Sequence, residues 1–148
     1  MSIASNKKAF HDYFILEKFE AGIELKGTEV KSVKLGKTSI KESFVRPIKG
    51  EIFIMGMHIK NYEYGNIHNV EETRVRKLLL HKKEIDKLIG KTSKEGLTIV
   101  PLKVFITRGL VKIQIALAKG KKVHDKRDTL KKREQTREIE KEFKNFQR

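Results

Sequence analysis

Two apolar runs joined by Arg108 and Gly109 constrain the fold more than any other part of the sequence. Apolar residues recur through 97–107, and within 111–118 they alternate with polar or small residues. Two apolar runs around a glycine-containing turn, the second with a clean period of two, are typical of a β-hairpin. Pro101 has no amide hydrogen to donate, so we expect it at a sheet edge or at a bulge.

Similar patterns elsewhere predict a mainly β protein with short helices. Further strands are expected over 13–25, 38–48 and 51–59, and short helices over 27–36 and 82–90. Gly22 predicts a bulge or a bend inside the first of these strands, and Thr28 is the expected helix cap. Residues 1–10 are polar and are expected to be loose. An OB-like small closed barrel over 1–118 is the economical arrangement, because closure removes unpaired strand edges, and a sandwich is the alternative.

The last thirty residues, 119–148, show no strand-like alternation. They carry twelve Lys or Arg against six Asp or Glu. So polar a segment buries too little apolar surface to offset the entropy of ordering. We therefore expect a basic C-terminal tail that is disordered when free and helical when bound, with Ile139, Phe143 and Phe146 on one helical face. A solubilising tail without another role is the alternative.

Positive charge is in excess over the whole chain, which has 34 Lys or Arg, 19 Asp or Glu and a net charge of +15. A field of this sign attracts nucleic acid or an anionic membrane. No run approaches the roughly 18–20 apolar residues of a membrane-spanning helix, and the first eight residues have no signal-peptide core. The chain has no cysteine, which fits a reducing compartment. The composition predicts a cytoplasmic protein that binds RNA or DNA and no membrane.

Sequence motifs of enzymes and metal sites are missing. The five histidines include no pair at the spacing of a helical zinc site, and Walker loops, nucleophile elbows and dinucleotide-binding glycines are absent. The acids Glu20, Glu29 and Asp125 form no recognisable acid–base or metal pattern. We therefore expect no catalytic activity, no metal and no cofactor. An enzyme acting on RNA is the alternative, and nuclease activity abolished by EDTA would support it.

Two stretches mix the residue types that contact RNA. Residues 6–13 combine lysines, aromatic rings and an amide, which suit phosphates, exposed bases and base edges respectively. The alternative is a frayed terminus in which Tyr13 and Phe14 belong to the core. Residues 74–77 form a cluster of three cations beside an irregular segment over 61–73, and long segments of this kind are often functional or mobile. The alternative for this cluster is a solvated strand edge.

Four blocks of the sequence carry a more specific signal. They read NKKAFHDYFI at 6–15, EAGIELKGTEVKS at 20–32, RKLLLHKKEI at 76–85 and AKGKKVHDKR at 118–127. In this order the blocks resemble the bacterial SsrA-binding protein family, also called small protein B (SmpB). The resemblance runs from about residue 6 to the end of the chain.

The resemblance implies an OB-fold that binds the tRNA-like domain of transfer-messenger RNA (tmRNA) and delivers it to stalled ribosomes. There the tail would occupy the decoding centre of the small subunit and the empty mRNA channel, so that the stalled product is tagged for proteolysis. The implied partners are therefore tmRNA and the ribosome, with a monomer when free and no catalytic role. A general RNA-binding or ribosome-associated OB-fold protein remains the alternative.

The resemblance also implies a division of the chain and a set of binding residues. Residues 1–118 would be the tmRNA-binding domain and 119–148 the ribosome-binding tail. The implied tmRNA contacts are Asn6, His11, Tyr13 and Glu20, to which we add Arg76 and Lys77 from the cation cluster. The implied ribosome contacts are Gly120, His124, Asp125, Lys126, Arg127, Ile139 and Phe143. Among these, His124 would stack on a base, and Lys126 and Arg127 would neutralise phosphates.

Overall fold

The computed structural model of the protein describes residues 2–63 and 69–121. These ranges contain the strands and helices β1 (Ser2–Ser5), α1 (Lys7–Asp12), β2 (Tyr13–Ile23), α2 (Gly27–Lys34), β3 (Thr38–Ser39), β4 (Phe44–Ile48), β5 (Glu51–Met55), β6 (His58–Ile59), β7 (Arg76–Leu79), α3 (Lys82–Lys94), β8 (Thr98–Thr107) and β9 (Leu110–Gly120). The prediction of a mainly β fold with short helices is confirmed. The tail predicted over 119–148 lies, from residue 122 onward, outside the described residues.

Seven strands form one antiparallel sheet in the order β1-β8-β4-β5-β7-β2-β9, and a further pairing between β8 and β9 closes six of them into a ring. The strand β1 lies outside the ring, against β8. A separate two-stranded sheet joins β3 to β6. Because every strand of the ring has two neighbours, the ring leaves no long strand edge free to pair with another chain.

The hairpin of β8 and β9 has the form predicted from its alternation. Arg108 and Gly109 lie at the turn with φ angles of 51° and 77°, the left-handed conformation that such a turn requires. The register of the two strands shifts between Pro101 and Lys103. The prediction that Pro101 lies at a bulge is therefore confirmed.

The bulge predicted in β2 lies elsewhere. The register between β2 and β9 shifts between Ile15 and Glu17, so that Leu16 is the extra residue. Gly22 instead lies where β2 comes close to β7, and a Cβ atom added to it would be 3.3 Å from the Cβ of Leu79. Gly22 is therefore explained by the close approach of a neighbouring strand, and the bulge arises without a glycine.

Two of the predicted strands are each divided into two. The stretch 38–48 contains β3 and β4, and the stretch 51–59 contains β5 and β6. Between β5 and β6, Gly56 has a φ of 75°, and a Cβ atom added there would lie 2.7 Å from the carbonyl oxygen of Glu42. Gly56 therefore breaks the strand and lets the turn before β4 pack against it, which no residue with a side chain allows without a shift of the backbone.

The N-terminal residues are ordered, contrary to the prediction that residues 1–10 are loose. They form β1 and α1, and the link between the two is held to β8. The backbone N–H of Asn6 donates to the carbonyl oxygen of Leu102 at 2.8 Å, and its Nδ2 donates to that of Pro101 at 3.1 Å. The local sequence did not predict this order, because the contacts that hold the segment come from a strand that is 95 residues away.

The helices differ from prediction in their ends. The N-cap of α2 is Lys26 rather than Thr28, and the Lys26 N–H donates to the Glu29 carboxylate at 2.9 Å. The helix α3 continues to Lys94, four residues beyond its predicted end at Gly90. In the described part of the chain, no helix is long and apolar enough to cross a membrane.

The strand β7 was not predicted, and it occupies a central place. It lies between β5 and β2 in the ring. Arg76 and Leu78 point to the buried side, and Lys77 and Leu79 are partly or fully exposed. The alternative interpretation of 74–77 as a solvated strand edge is therefore wrong. A four-residue strand with two cations has too little pattern for sequence-based recognition, and its burial depends on partners distant in the chain.

Candidate nucleic-acid interface

A groove of about 650 Å³ lies between α1, β8 and the segment 41–46, which includes the start of β4. Asn6 and Tyr13, two of the predicted RNA contacts, line it together. Its cationic lining residues are Lys8, Lys41 and Arg46, its hydroxyl-bearing ones are Ser43, Thr73 and Thr98, and its carboxylates are Asp12 and Glu42. Cations, hydroxyls and aromatic rings in one concave surface are the residue types that contact nucleic acid.

Asn6 is buried at the inner end of α1, with 8 % of its surface exposed. Its Nδ2 is engaged by the carbonyl oxygen of Pro101, while its Oδ1 accepts no hydrogen bond from residues 2–63 or 69–121. The side chain therefore keeps its acceptor oxygen, together with the second N–H of its amide, for a ligand. An acceptor of this kind suits a base amino group or a 2′-hydroxyl.

Tyr13 and His11 differ in their surroundings. Tyr13 is half-buried at the start of β2, where it pairs with Gly120 at the end of β9. His11 is almost fully exposed, with 86 % of its side chain accessible, and its Nδ1 lies 3.0 Å from the Asp12 carboxylate. The pairing of Tyr13 with Gly120 brings a predicted tmRNA contact next to a predicted tail residue.

Glu20 and Lys77 lie outside the groove. Glu20 is exposed on β2 opposite Gln114 of β9. Lys77 lies on the outer side of β7, where its Nζ is 3.6 Å from the Glu51 carboxylate. The six predicted tmRNA contacts are thus not one cluster, because only Asn6 and Tyr13 share the groove.

Arg76 requires a correction as a predicted RNA contact. Its side chain is completely buried, and all five N–H groups donate within the protein. Two reach the Glu29 carboxylate at 2.8 and 2.6 Å, and the others reach the carbonyl oxygens of Met57, Arg74 and Glu72. No donor is left for RNA, so Arg76 acts on a ligand only by positioning other residues.

The Glu29 carboxylate joins Arg76 to Arg74 in one buried cluster. Arg74 donates to Glu29 from Nη2 at 2.5 Å and from Nε at 3.2 Å. Burial alone would raise the pKa of Glu29, but the hydrogen bonds from Arg74, Lys26 and Arg76 outweigh it and hold the pKa below its usual value. The Glu29–Arg74–Arg76 cluster therefore keeps its carboxylate ionised and ties α2 to β7.

Arg46, unlike Arg76, lies in the groove, and the sequence analysis did not name it as a candidate RNA contact. It is half-buried in the groove, with its guanidinium carbon 5.8 Å from the centre of the Phe44 ring. Burial lowers the pKa of Arg46 below its usual value, and the nearby phenol of Tyr13 acts in the opposite direction. The group still stays charged at neutral pH. A sequence signal existed, since a single cation interrupts the otherwise apolar strand 44–48.

Large apolar side chains are exposed on α1 and at the start of β2, and of these only Phe10 belongs to the stretch 6–13 that was expected to contact RNA. Phe10, Phe14 and Leu16 expose 45 %, 54 % and 55 % of their surfaces. The Nζ of Lys18 lies 5.8 Å from the Phe10 ring, and that of Lys121 lies 5.5 Å from the Phe14 ring. The alternative that placed Phe14 in the core is wrong. Exposed rings beside lysines suit the stacking of bases and the neutralisation of phosphates.

The remaining predicted residues are only partly covered. Gly120 ends β9, whereas His124, Asp125, Lys126, Arg127, Ile139 and Phe143 lie outside the described residues. Among residues 2–63 and 69–121, no group of three His, Cys, Asp or Glu side chains is placed to hold a metal ion.

Comparison with known proteins identifies the family. Residues 3–145 match the family model described as "SmpB protein". The chain is 62 % identical to the SsrA-binding protein of Fusobacterium nucleatum over the full length of both, and 56 % identical to that of Caldicellulosiruptor bescii over 99 % of this chain and 92 % of the relative. A solved chain described under "tmRNA-SmpB: a journey to the center of the bacterial ribosome" is 50 % identical, with a TM-score of 0.67, over 82 % of this chain and 86 % of that one. Because these similarities extend along almost the entire sequence, the chain belongs to the SmpB family of SsrA-binding proteins.

Proposed function

We propose that this protein is an RNA-binding adaptor of trans-translation. It binds the tRNA-like domain of tmRNA and delivers it to stalled ribosomes. Its tail, 119–148, then occupies the decoding centre and the empty mRNA channel, so that the unfinished product is tagged for proteolysis. The observation that carries the proposal is the full-length identity of 62 % to an SsrA-binding protein.

The geometry supports a two-part arrangement of domain and tail. The groove offers cations, and the exposed rings of Phe10 on α1 and Phe14 on β2 offer stacking surfaces. The proposed boundary after residue 118 lies two residues before the end of β9 at Gly120. Gly120 pairs with Tyr13 of β2, so a proposed RNA-binding residue and a proposed ribosome-binding residue lie on the same strand pair.

The proposed role requires binding and no bond chemistry. The protein acts as a cytoplasmic monomer before it joins tmRNA, and peptide-bond formation belongs to the ribosome. Within the tail, His124 stacks on a ribosomal base, Asp125 pairs with a cation or a base edge, and Lys126 and Arg127 neutralise phosphates. Ile139 and Phe143 give the bound tail an apolar face.

Two variants separate the two parts of the proposed function. His11→Ala should weaken the affinity for the tRNA-like domain, because it removes a proposed RNA contact. The exposed imidazole has no structural role beyond its contact with Asp12, so the fold should be retained. The double variant Asp125→Ala with Lys126→Ala should keep that affinity and abolish tagging on stalled ribosomes. Gel-shift titration and a tagging assay on both proteins measure the two effects. An equal loss of RNA affinity in both would contradict the division.

Competition distinguishes the proposal from a general RNA-binding protein. The wild-type protein should bind the tRNA-like domain in the presence of excess unrelated structured RNA. Complete displacement by the competitor would favour the general RNA-binding alternative. A stop codon placed after Ala118 should leave binding intact and remove tagging, and tagging at the wild-type level would overturn the proposed role of the tail.

A further inference from the structure

Arg46 combines burial with unused hydrogen-bonding capacity. Of its five N–H groups, one donates to an acceptor of the described residues. This is an Nη1 N–H, which donates to the carbonyl oxygen of the preceding residue, Val45, at 3.2 Å. No carboxylate of residues 2–63 or 69–121 lies within 4.0 Å of its guanidinium. A half-buried cation without a counter-ion pays a desolvation cost that an anionic ligand would offset.

Two further cations stand at the same groove. Lys8 on α1 and Lys41 in the turn before β4 are exposed, and neither forms an ion pair with the described residues. Asp12 and Glu42, the two carboxylates of the lining, form no ion pair with Arg46. The cationic groups therefore remain available for a ligand from outside the chain.

The size of the groove around Arg46 favours a phosphate that belongs to a nucleotide over a small free anion. The guanidinium carbon lies 5.8 Å from the centre of the Phe44 ring. A planar fork binds two oxygens of one phosphate in parallel. The volume of about 650 Å³ exceeds that of a single anion and has room for a nucleotide with its neighbours. The Oδ1 acceptor of Asn6 in the same lining suits a base edge or a 2′-hydroxyl of that nucleotide.

We propose that Arg46, flanked by Lys8 and Lys41, binds one backbone phosphate of the RNA in this groove. The proposal rests on the proposed function, since it assigns a contact within the tmRNA complex. It adds a phosphate site that the resemblance did not contain. Arg46 is a binding residue here, and Asn6 and Tyr13 are its neighbours on the wall of the groove.

The test compares Arg46→Met with the matched variant Lys83→Met. Methionine keeps an unbranched apolar stem against Phe44 and removes the guanidinium. Lys83 is an exposed lysine on α3, a helix that contributes no residue to the groove. Binding to the tRNA-like domain is titrated over a series of salt concentrations. Arg46→Met should weaken binding by about 10-fold or more, as expected for a charge-assisted pair.

The salt dependence adds a second readout. In Arg46→Met the slope of log affinity against log salt should become shallower by about 0.7–0.9, the value for one phosphate, and in Lys83→Met it should be unchanged. Arg46→Lys keeps the charge, so it should keep the slope while losing part of the affinity with the planar fork. Thermal unfolding of each variant confirms that the fold is retained, and Arg46→Lys serves as the test if the methionine variant unfolds.

Phosphate ethylation identifies the contact on the RNA. One ethylated phosphate should weaken binding of the wild type and have no additional effect on Arg46→Met. An affinity and a salt slope in Arg46→Met equal to those of Lys83→Met would overturn the phosphate site alone. A wild-type protein that does not select the tRNA-like domain over unrelated RNA would overturn the proposed function and this site with it.

Discussion

Arg76 and Arg46 lie on two strands of the same ring, and their guanidinium groups have opposite surroundings. Arg76 donates all five N–H groups inside the protein and is fully buried. Arg46 donates one within the described ranges and faces a groove. The two residues are of the same type, so the difference lies in the number of acceptors that the protein supplies. An arginine with all its N–H groups engaged stabilises the fold, and one with unused N–H groups is available to a ligand.

The two arginines are nevertheless connected through the chain. Arg76 donates to the carbonyl oxygen of Glu72 at 3.0 Å, and Thr73 and Val75 follow directly on the rim of the groove. The Glu29–Arg74–Arg76 cluster therefore holds one wall of the surface on which Arg46 lies. A fixed wall reduces the entropy lost when a ligand binds.

The largest expected effect comes from the same substitution at both arginines. Arg76→Met should lower the free energy of unfolding by about 3–5 kcal/mol, because it removes one partner of a buried ion pair and leaves carbonyl oxygens without donors. Arg46→Met should lower it by less than about 1 kcal/mol, because only one weak backbone contact is lost. Urea unfolding measures both. Equal losses would break the distinction between the two sites.

A comparable effect, dependent on pH, is expected at Glu29. Glu29→Gln should cost about 3–5 kcal/mol at pH 7, because the buried Arg76 guanidinium loses its counter-ion. The pKa of Glu29 is lower in the folded protein than in the unfolded chain, so its stabilising contribution is present above the unfolded pKa and is lost as the pH falls through the folded pKa. The difference in unfolding free energy between wild type and Glu29→Gln should therefore shrink as the pH is lowered below about 4.5.

Urea unfolding at a series of acidic pH values tests this linkage. Glu20→Gln is the matched control, because that carboxylate is exposed and accepts no hydrogen bond from the described residues. Its effect should stay within about 0.5 kcal/mol at neutral pH. A Glu29→Gln difference that grows toward low pH would contradict the assigned direction of the pKa shift.

An intermediate effect on stability should separate Asn6 from His11. Asn6→Ala should cost about 1–2 kcal/mol, since the buried carbonyl oxygen of Pro101 loses its donor. His11→Ala should change stability by no more than about 0.5 kcal/mol, because the imidazole is exposed. Both should weaken RNA binding. Thermal unfolding combined with gel-shift titration of the folded fraction shows whether Asn6 contributes to binding beyond its support of α1; unchanged affinity of folded Asn6→Ala would limit it to that support.

The smallest effect is expected for Lys77, the neighbour of Arg76 on the outer side of β7. Lys77→Ala should alter the free energy of unfolding by less than about 0.5 kcal/mol, because its ion pair with Glu51 spans 3.6 Å and both partners are more than a third exposed. If Lys77 contacts a phosphate, the salt slope of RNA binding should become shallower by about 0.7–0.9. An unchanged slope would remove Lys77 from the interface.

Local patterns explain which parts of the fold the sequence predicts. The hairpin of β8 and β9 was predicted with its proline bulge, because alternation and a glycine turn are properties of neighbouring residues. The strand β7 and the N-terminal β1 and α1 were not predicted, because they are stabilised by partners far away in the chain. Arg76 reaches Glu29 across 47 residues, and Asn6 reaches Pro101 across 95.

The sequence identified those residues of the candidate site whose type and motif suit RNA contact, but not how exposed their side chains are in the fold. The resemblance gave Asn6 and Tyr13, which the fold brings into one groove. The cation cluster added Arg76, whose sequence neighbours Arg74 and Lys77 do not reveal that its guanidinium is buried. Arg46 was missed because its availability depends on how few acceptors of the described residues reach its guanidinium, which is a property of the folded surface.

The end of β9 fixes the point from which the C-terminal residues start. The N–H of Lys121 donates to the Asp12 carbonyl oxygen and its Nζ to that of Phe10, both at 3.1 Å. These two hydrogen bonds attach Lys121 to α1, so the maximum distance from α1 to any later residue is counted from Lys121. Each residue inserted behind it extends the maximum reach by about 3.3–3.6 Å. An insertion after Lys121 therefore changes only the maximum reach of the residues that follow and leaves this attachment to α1 in place.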